Sequence, residues 1–366
     1  MCFCRFHNRI ATQLALIDEN ERFSLPPQAD SLSRHSYKDL LMKRDNDLFQ
    51  TVRAIICGLY MQIVVNDYVR TILGLHRAGS DWQVDPRKDI DTSFFGAKFG
   101  QGRGNQISLE LDLTYRWHSA ISTKDQGWLE QHMAKPLPNL RVENMTAQDM
   151  LLAMRQFAAR QPSNPSERTL AGLQTHNGGS FEDADLVQIL TVTTEDVAAS
   201  FGPRQVPIVL KVIEIMGIQQ ARAWEVASLN EVRRYFGLPA HNSFADITSD
   251  PEIAKCLETL YGDVEDVELY PGVVVEEPCI SSKPASAVRT GISTTRAILF
   301  DAMALIQSDC FYKSDYTPSR LTAFGYKEIS TDQTIAGGGV MYKLLMRALR
   351  KRLQRTARMM LTSLAE

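Results

Sequence analysis

Cysteine is sparse. The six present (Cys2, Cys4, Cys57, Cys256, Cys279 and Cys310) are scattered through 366 residues without framework spacing. That excludes a small disulfide-stapled scaffold and fits free thiols in a reducing compartment. Neither sign of charge dominates: 40 Lys and Arg face 43 Asp and Glu, for a formal net charge of -3. Such a balance creates no field that would recruit nucleic acid as the main partner. Long apolar runs are missing too. The longest uncharged apolar stretch, Ala54 to Val65, sits between Arg53 and Asp67 and is too short to cross a bilayer, so no transmembrane segment is expected. The opening Met1-Cys2-Phe3-Cys4-Arg5-Phe6-His7 has no basic region leading into an apolar one, which argues against a secretory leader and for a cytoplasmic protein.

Motifs for metal and phosphate are equally scarce. No two of the seven histidines (His7, His35, His76, His118, His132, His176 and His241) share the i, i+4 spacing of a zinc-hydrolase helix. Cys2 and Cys4 with His7 make half a zinc site, and no second pair lies at a suitable spacing. Gly337-Gly338-Gly339 lacks the Gly-Lys-Ser/Thr of a phosphate loop and reads as a flexible turn. Towards its end the chain is basic: Arg347, Arg350, Lys351, Arg352, Arg355 and Arg358 are interleaved with Leu349, Leu353 and Met359. A basic amphipathic helix of this kind could rest on a lipid surface, although a solvated terminal helix is commoner.

What is present is material for a core and strong helical patterning. Hydrophobic residues make up 44% and charged residues 23% of the chain, the composition of a soluble globular protein. Thr51 to Leu75 carries apolar residues at helical spacing. Thr146-Ala147-Gln148-Asp149 reads as an N-cap with an acid at the third helical position, opening a helix that stops near Arg160, before Pro162. Ser180-Phe181-Glu182-Asp183 has the same form. Ser249-Asp250-Pro251 opens another helix, with Ile253, Leu257 and Leu260 on its apolar face and Gly262 as its stop. Strand signals are few, the best being Val273 to Val275. The expectation is a mainly α-helical single domain.

Leu111 to His118 reads as a buried helical segment that sets Tyr115 and His118 on one face. Taken alone, a packed Tyr and a hydrogen-bonded core His would satisfy the pattern. About a hundred residues later come Arg222, Asn230 and Arg233. Together, Tyr115-Arg-Trp-His118 and Trp224-Glu-Val-Ala-Ser-Leu-Asn230 resemble the animal-type haem peroxidase and cyclooxygenase superfamily, in the spelling of the fungal fatty-acid dioxygenases (linoleate diol synthases and psi-factor-producing oxygenases). His7-Asn8-Arg9, Asp47-Leu48-Phe49-Gln50, Asp85-Pro86-Arg87, Glu268-Leu269-Tyr270-Pro271-Gly272, Asp315-Tyr316-Thr317-Pro318 and Tyr342-Lys343-Leu344 extend the resemblance to roughly Phe3 through Ala348.

The resemblance implies a haem peroxidase-like helical fold and a haem cofactor. His118 would be the proximal iron ligand, Asn230 the acceptor for its second ring nitrogen, and Arg233 and Arg222 would hold the propionates or the proximal network. Tyr115 matches the radical-forming tyrosine that takes a hydrogen from a C18 polyunsaturated acid before O2 adds, a hydroperoxide supplying the oxidising equivalents. Asn105 and Gln106, upstream on the same helix, would border the fatty-acid channel or make structural contacts. The chain opens inside the family's His-Asn-Arg helix, so the distal histidine is expected to lie outside it, as is the cytochrome P450-like half of many fungal members. Phe6 replaces the usual acid, and Cys310 the usual Arg. Residues 1–348 would then be the proximal portion of a dioxygenase domain and 349–366 a basic tail. Two alternatives stay open: an inactive fragment, which could associate with a second copy, and a haem peroxidase without lipid specificity.

Overall fold

The computed structural model describes residues 1–27, 29–72, 106–134, 141–169, 172–176, 180–278, 290–332, 334 and 339–349. Among them no extended strand forms; isolated β-bridges join His176 with Ser180 and Ser228 with Glu268, and the regular structure is otherwise helical. The mainly α class expected from sequence is the class observed. The chain groups into two compact units, Met1–Thr71 with Gly79–Lys88 and Asp309–Glu366, and Ile72–Ala78 with Asp89–Ser308.

The first unit opens with α1 (Cys2–Ile17), whose Phe6, Ile10 and Leu14 recur every four residues and form one buried stripe. Phe6 is therefore a core side chain. The helix stops at Asp18, held at φ 46°, whose carboxylate accepts the Phe23 N–H at 2.6 Å. The next helix, α2 (Arg34–Gln62), is capped by the Ser33 hydroxyl and runs on through a π-helical turn, Ile63–Val69, to Ile72. The Ala54–Val65 stretch thus belongs to one element, Arg34–Ile72, that is long and apolar enough to cross a membrane by length and composition. Its Val52, Ile55 and Leu59 are fully buried in the protein, as in the core helix of a globular unit.

In the second unit, α3 (Leu109–Thr114) is capped by Ser108, whose hydroxyl accepts the Leu111 N–H at 3.1 Å. Ser108 is itself tied down, donating from N and Oγ to the buried Asp301 at 3.0 and 2.6 Å. After α4 (Thr123–Ala134), α5 (Ala147–Ala159) starts on the expected capping box of Thr146 and Asp149. Helix α6 (Asp183–Glu195) begins two residues later than its signal suggested, because Ser180 pairs with His176 and Glu182 takes the cap position. Next come α7 (Lys211–Ala223) and α8 (Leu229–Tyr235), the latter on a Ser228–Glu231 capping box. Helix α9 (Pro251–Tyr261) is capped by Asp250 and stopped by Gly262 at φ 73°. Ile253 and Leu257 are buried as expected, but Leu260 is 75% exposed; the apolar stripe ends a turn early.

Val273 to Val275, the best strand signal, is helical. These residues finish α10 (Leu269–Val275), where Leu269, Tyr270 and Val273 fall on one face and pack with Leu229 and Val232 of α8. Gly272 allows this approach, since a Cβ there would stand 2.9 Å from the Leu229 side chain. Burial against a helix outweighs the β preference of a short valine run. Helix α11 (Ile292–Ser308) closes this unit and carries Asp301.

The chain then returns to the first unit with α12 (Ala323–Ile329) and α13 (Met341–Ala348). Both N-termini are capped by carboxylates far away in sequence. Glu19 accepts the Ala323 and Phe324 N–H groups at 2.7 Å, and Asp67 accepts those of Val340 and Met341 at 2.8 and 2.9 Å. Of the basic C-terminal run, Arg347 pairs with Glu328 at 3.2 Å; residues 350–358, Gly337, Gly338 and Asp85 to Arg87 lie outside the described residues.

Candidate active site

The segment expected to be one continuous helix is broken. Helix α3 ends at Thr114, Tyr115 is its C-cap at ψ 55°, and His118–Ala120 forms a separate 3-10 turn. Three bulky neighbours make their tertiary contacts at this break. Tyr115 is 37% exposed and meets Trp117 edge-on at 5.4 Å. Trp117 packs on the core and against Phe201 at 5.4 Å. Arg116 crosses α7, sets its guanidinium 5.3 Å from the Tyr270 ring centroid and donates to Gln220 Oε1 at 3.2 Å. Gln106, expected on the same helix, precedes its start and is exposed, and Asn105 lies outside the described residues.

His118 is placed by this break against the first turn of α7. Its Nδ1 bonds to Glu214 Oε1; a carboxylate accepts, so Nδ1 is the donor, and in the neutral ring this leaves the lone pair on Nε2. The His118 side chain is 28% and the Glu214 side chain 18% exposed. Nε2 has no hydrogen-bond partner among the described residues and is not sealed from solvent. The second oxygen of Glu214 accepts the Tyr270 hydroxyl at 2.8 Å. Burial first, and the Glu214 charge second, push the Tyr270 phenol well above its ordinary range, which keeps it a donor. Gly217 makes room for the lid over this pair: a Cβ there would lie 1.8 Å from Arg116 Nη1.

The other residues singled out from sequence are engaged away from His118. Asn230, expected to receive the His118 N–H, is engaged elsewhere on both edges of its amide. Its Oδ1 accepts the His241 N–H at 2.8 Å, and its Nδ2 donates to His241 O at 3.0 Å and Glu265 Oε1 at 3.1 Å. The acceptor at His118 is Glu214 instead, because α7, not α8, runs beside the imidazole. Arg233 is buried in an ion pair with Glu276 and also donates to Pro239 O at 2.8 Å and Ser293 Oγ at 3.1 Å. Burial works to raise the Glu276 carboxyl, but hydrogen bonds from His241 and Ser293 and the Arg233 charge outweigh it and hold the group below its ordinary value. Arg222 forks onto Glu268 at 2.6 and 3.0 Å, and that bond lowers the Glu268 carboxyl. Since Glu268 precedes α10, Arg222 fixes the end of the helix that presents Tyr270. Both guanidinium groups are thus committed to carboxylates of the chain itself.

Glu214 escaped the sequence reading. A lone acid in the first turn of a helix usually answers the helix dipole, and nothing local marks it as the partner of a histidine 96 residues away. Tyr270 lay within a motif that carried no assigned role.

The imidazole of His118 fits a bond to iron. An imidazole whose Nδ1–H is given to a carboxylate offers a basic Nε2 to a metal. Flanking it, Trp117 Nε1 and Ser119 Oγ are buried without hydrogen-bond partners, a cost that acceptor atoms of a bound group would relieve. Among the described residues no cluster of three or more His, Cys, Asp or Glu forms a metal site of the all-protein kind.

Comparison with known proteins agrees with this. The family model described as animal haem peroxidase matches residues 1–336. Psi-producing oxygenase A of Aspergillus fumigatus is 42% identical over 346 residues, 94% of this chain and 31% of that protein. The linoleate diol synthase of Gaeumannomyces graminis is 43% identical over 347 residues, 94% of this chain and 29% of the relative. The chain therefore spans about a third of the length of these relatives. Among solved structures, the fatty acid alpha-dioxygenase of Oryza sativa shares the fold, with a TM-score of 0.57 at 15% identity, over 97% of this chain and 54% of that one. The family model over residues 1–336, together with relatives above 40% identity, places the chain in the animal haem peroxidase family.

Proposed function

We propose that the chain holds haem through His118 Nε2 and serves the oxygenation of a polyunsaturated C18 fatty acid, with Tyr115 as the hydrogen-transfer residue. The observation that supports this best is the His118 ring, fixed at Nδ1 by Glu214 and open at Nε2, three residues after Tyr115. The relative named linoleate diol synthase supports linoleate as the substrate. When bound, haem supplies the oxidising power that it draws from a hydroperoxide. Once Tyr115 has yielded its phenolic hydrogen, its oxygen removes a hydrogen atom from a bis-allylic or adjacent carbon of the acid. O2 adds to the carbon radical, and the peroxyl group takes a hydrogen atom back from Tyr115. The sum is acid plus O2 giving a hydroperoxide, with the tyrosyl radical regenerated. Asn230 and Arg233 act at one remove, by fixing α8 and the segments it touches.

His118→Ala should abolish the Soret band of the haem-reconstituted chain; an unchanged spectrum overturns the ligand. Tyr115→Phe keeps the ring and removes the reacting O–H. It should retain haem and peroxide turnover while losing linoleate-dependent oxygen uptake, and normal uptake overturns the role. The exposure of Tyr115 favours a second reading, a haem peroxidase oxidising small donors without lipid selectivity. In that case wild-type protein shows peroxidase turnover and no oxygen uptake with linoleate.

A further inference from the structure

We infer that Glu214 is the positioning residue of the iron-binding imidazole, a carboxylate in place of the amide that Asn230 was expected to provide. The inference rests on the haem reading above. It is carried by two linked contacts: His118 Nδ1 to Glu214 Oε1, and Glu214 Oε2 to the Tyr270 hydroxyl at 2.8 Å. Each link comes from a different element. His118 follows α3, Glu214 is in the first turn of α7, and Tyr270 is in α10.

With Oε2 held by Tyr270, the carboxylate cannot rotate away from the ring. Tyr270 is in turn 3% exposed, faced by the Arg116 guanidinium at 5.3 Å, and set by the Arg222–Glu268 fork two residues upstream. Gly217, one turn after Glu214 on the same helix, leaves the space through which Arg116 reaches it. The apparatus thus holds one carboxylate in one orientation toward one ring nitrogen.

The choice of acceptor has an electronic consequence. A carboxylate draws on the Nδ1 proton more strongly than a neutral amide does, so the ring donates more charge through Nε2. A more basic imidazole favours the ferric over the ferrous state, which lowers the reduction potential of a bound iron. Glu214 would thereby hold the resting site oxidised, the state that meets a hydroperoxide.

The test compares haem-reconstituted wild type with Glu214→Gln and Tyr270→Phe, and uses His118→Ala to confirm the ligand. Glu214→Gln should raise the ferric/ferrous midpoint by at least the equivalent of a tenfold change in the one-electron equilibrium, about 59 mV. It should also lower the iron–imidazole stretching frequency of the ferrous form. Tyr270→Phe should move both in the same direction by less. Because Glu214→Gln could disturb folding, 15N NMR of the metal-free wild-type chain gives a second measurement, with His118 expected as the Nδ1–H tautomer. Haem bound through His118 with an unchanged potential and stretch in Glu214→Gln overturns the inference and leaves the haem reading intact. An Nε2–H tautomer in the metal-free chain also overturns it. A wild-type chain that takes up no haem overturns the underlying reading, and this inference with it.

Discussion

Glu276 is charged where water is nearly absent, its side chain 3% exposed against 8% for Arg233. It persists because both oxygens are engaged: Oε2 accepts the Ser293 N–H at 2.9 Å, and Oε1, beside Arg233, accepts from Ser293 Oγ at 2.7 Å with His241 Nε2 3.3 Å away. Removing one partner of such a pair strands the other charge, at a cost of about 3–5 kcal/mol. Glu276→Gln should lower stability by that order in denaturant titration. The pH dependence has a definite sign. The folded carboxyl sits below its ordinary value of 4.5, so its contribution is complete above that pH and fades as pH falls through the lower folded value. Below about pH 4.5, wild type should therefore lose stability more steeply than Glu276→Gln. A sequence reader could pick out Arg233 and Asn230, since both sit in a recognisable spelling. Glu214 was invisible, because its meaning depends on which ring it faces.

At the scale of the element, glycines decide how closely helices approach. Gly58 of α2 lies against Tyr316 and Ile329, and a Cβ there would come within 2.6 and 2.7 Å of their side chains. Alanine is the better helix former by about 1 kcal/mol, yet overpacking typically costs about 1–3 kcal/mol. The ring of Tyr316 cannot slide freely, since its hydroxyl accepts from Gln62 Nε2 at 2.8 Å. Gly58→Ala should therefore destabilise the protein on balance, measured as a lower melting temperature. Capping is the complementary case. Thr146 and Asp149 satisfy each other's backbone N–H groups at the start of α5, and Thr146→Ala should cost about 0.5–2 kcal/mol. That cap was legible in four residues. The break after α3 was not, because local spacing reports periodicity and not the tertiary contacts that Arg116 and Trp117 make.

At the scale of the molecule, the site residues His118, Glu214 and Tyr270 all belong to the second compact unit. A ligand that binds only the folded state stabilises it by mass action, about 2.7 kcal/mol at a hundredfold excess over its dissociation constant. Haem should raise the melting temperature of the wild-type chain and leave His118→Ala unchanged. Hydrogen exchange should slow first in the His118–Ala120 turn, α7 and α10, which hold His118, Glu214 and Tyr270. Equal stabilisation of His118→Ala would place haem binding elsewhere in the chain.

The sequence by itself determined the helical class, the cap and stop of several helices, and the family, because each of these is written in residues close together or in spellings kept intact. Thr146 with Asp149, Asp250 before Pro251, and Tyr115-Arg-Trp-His118 needed no partner from afar. The tertiary structure alone decided what His118 bonds to, why Val273 to Val275 is helical, and what Asn230, Arg233 and Arg222 hold. Those outcomes are settled by contacts between segments tens of residues apart, where one carboxylate or one missing Cβ, as at Gly217, decides which side chains can meet.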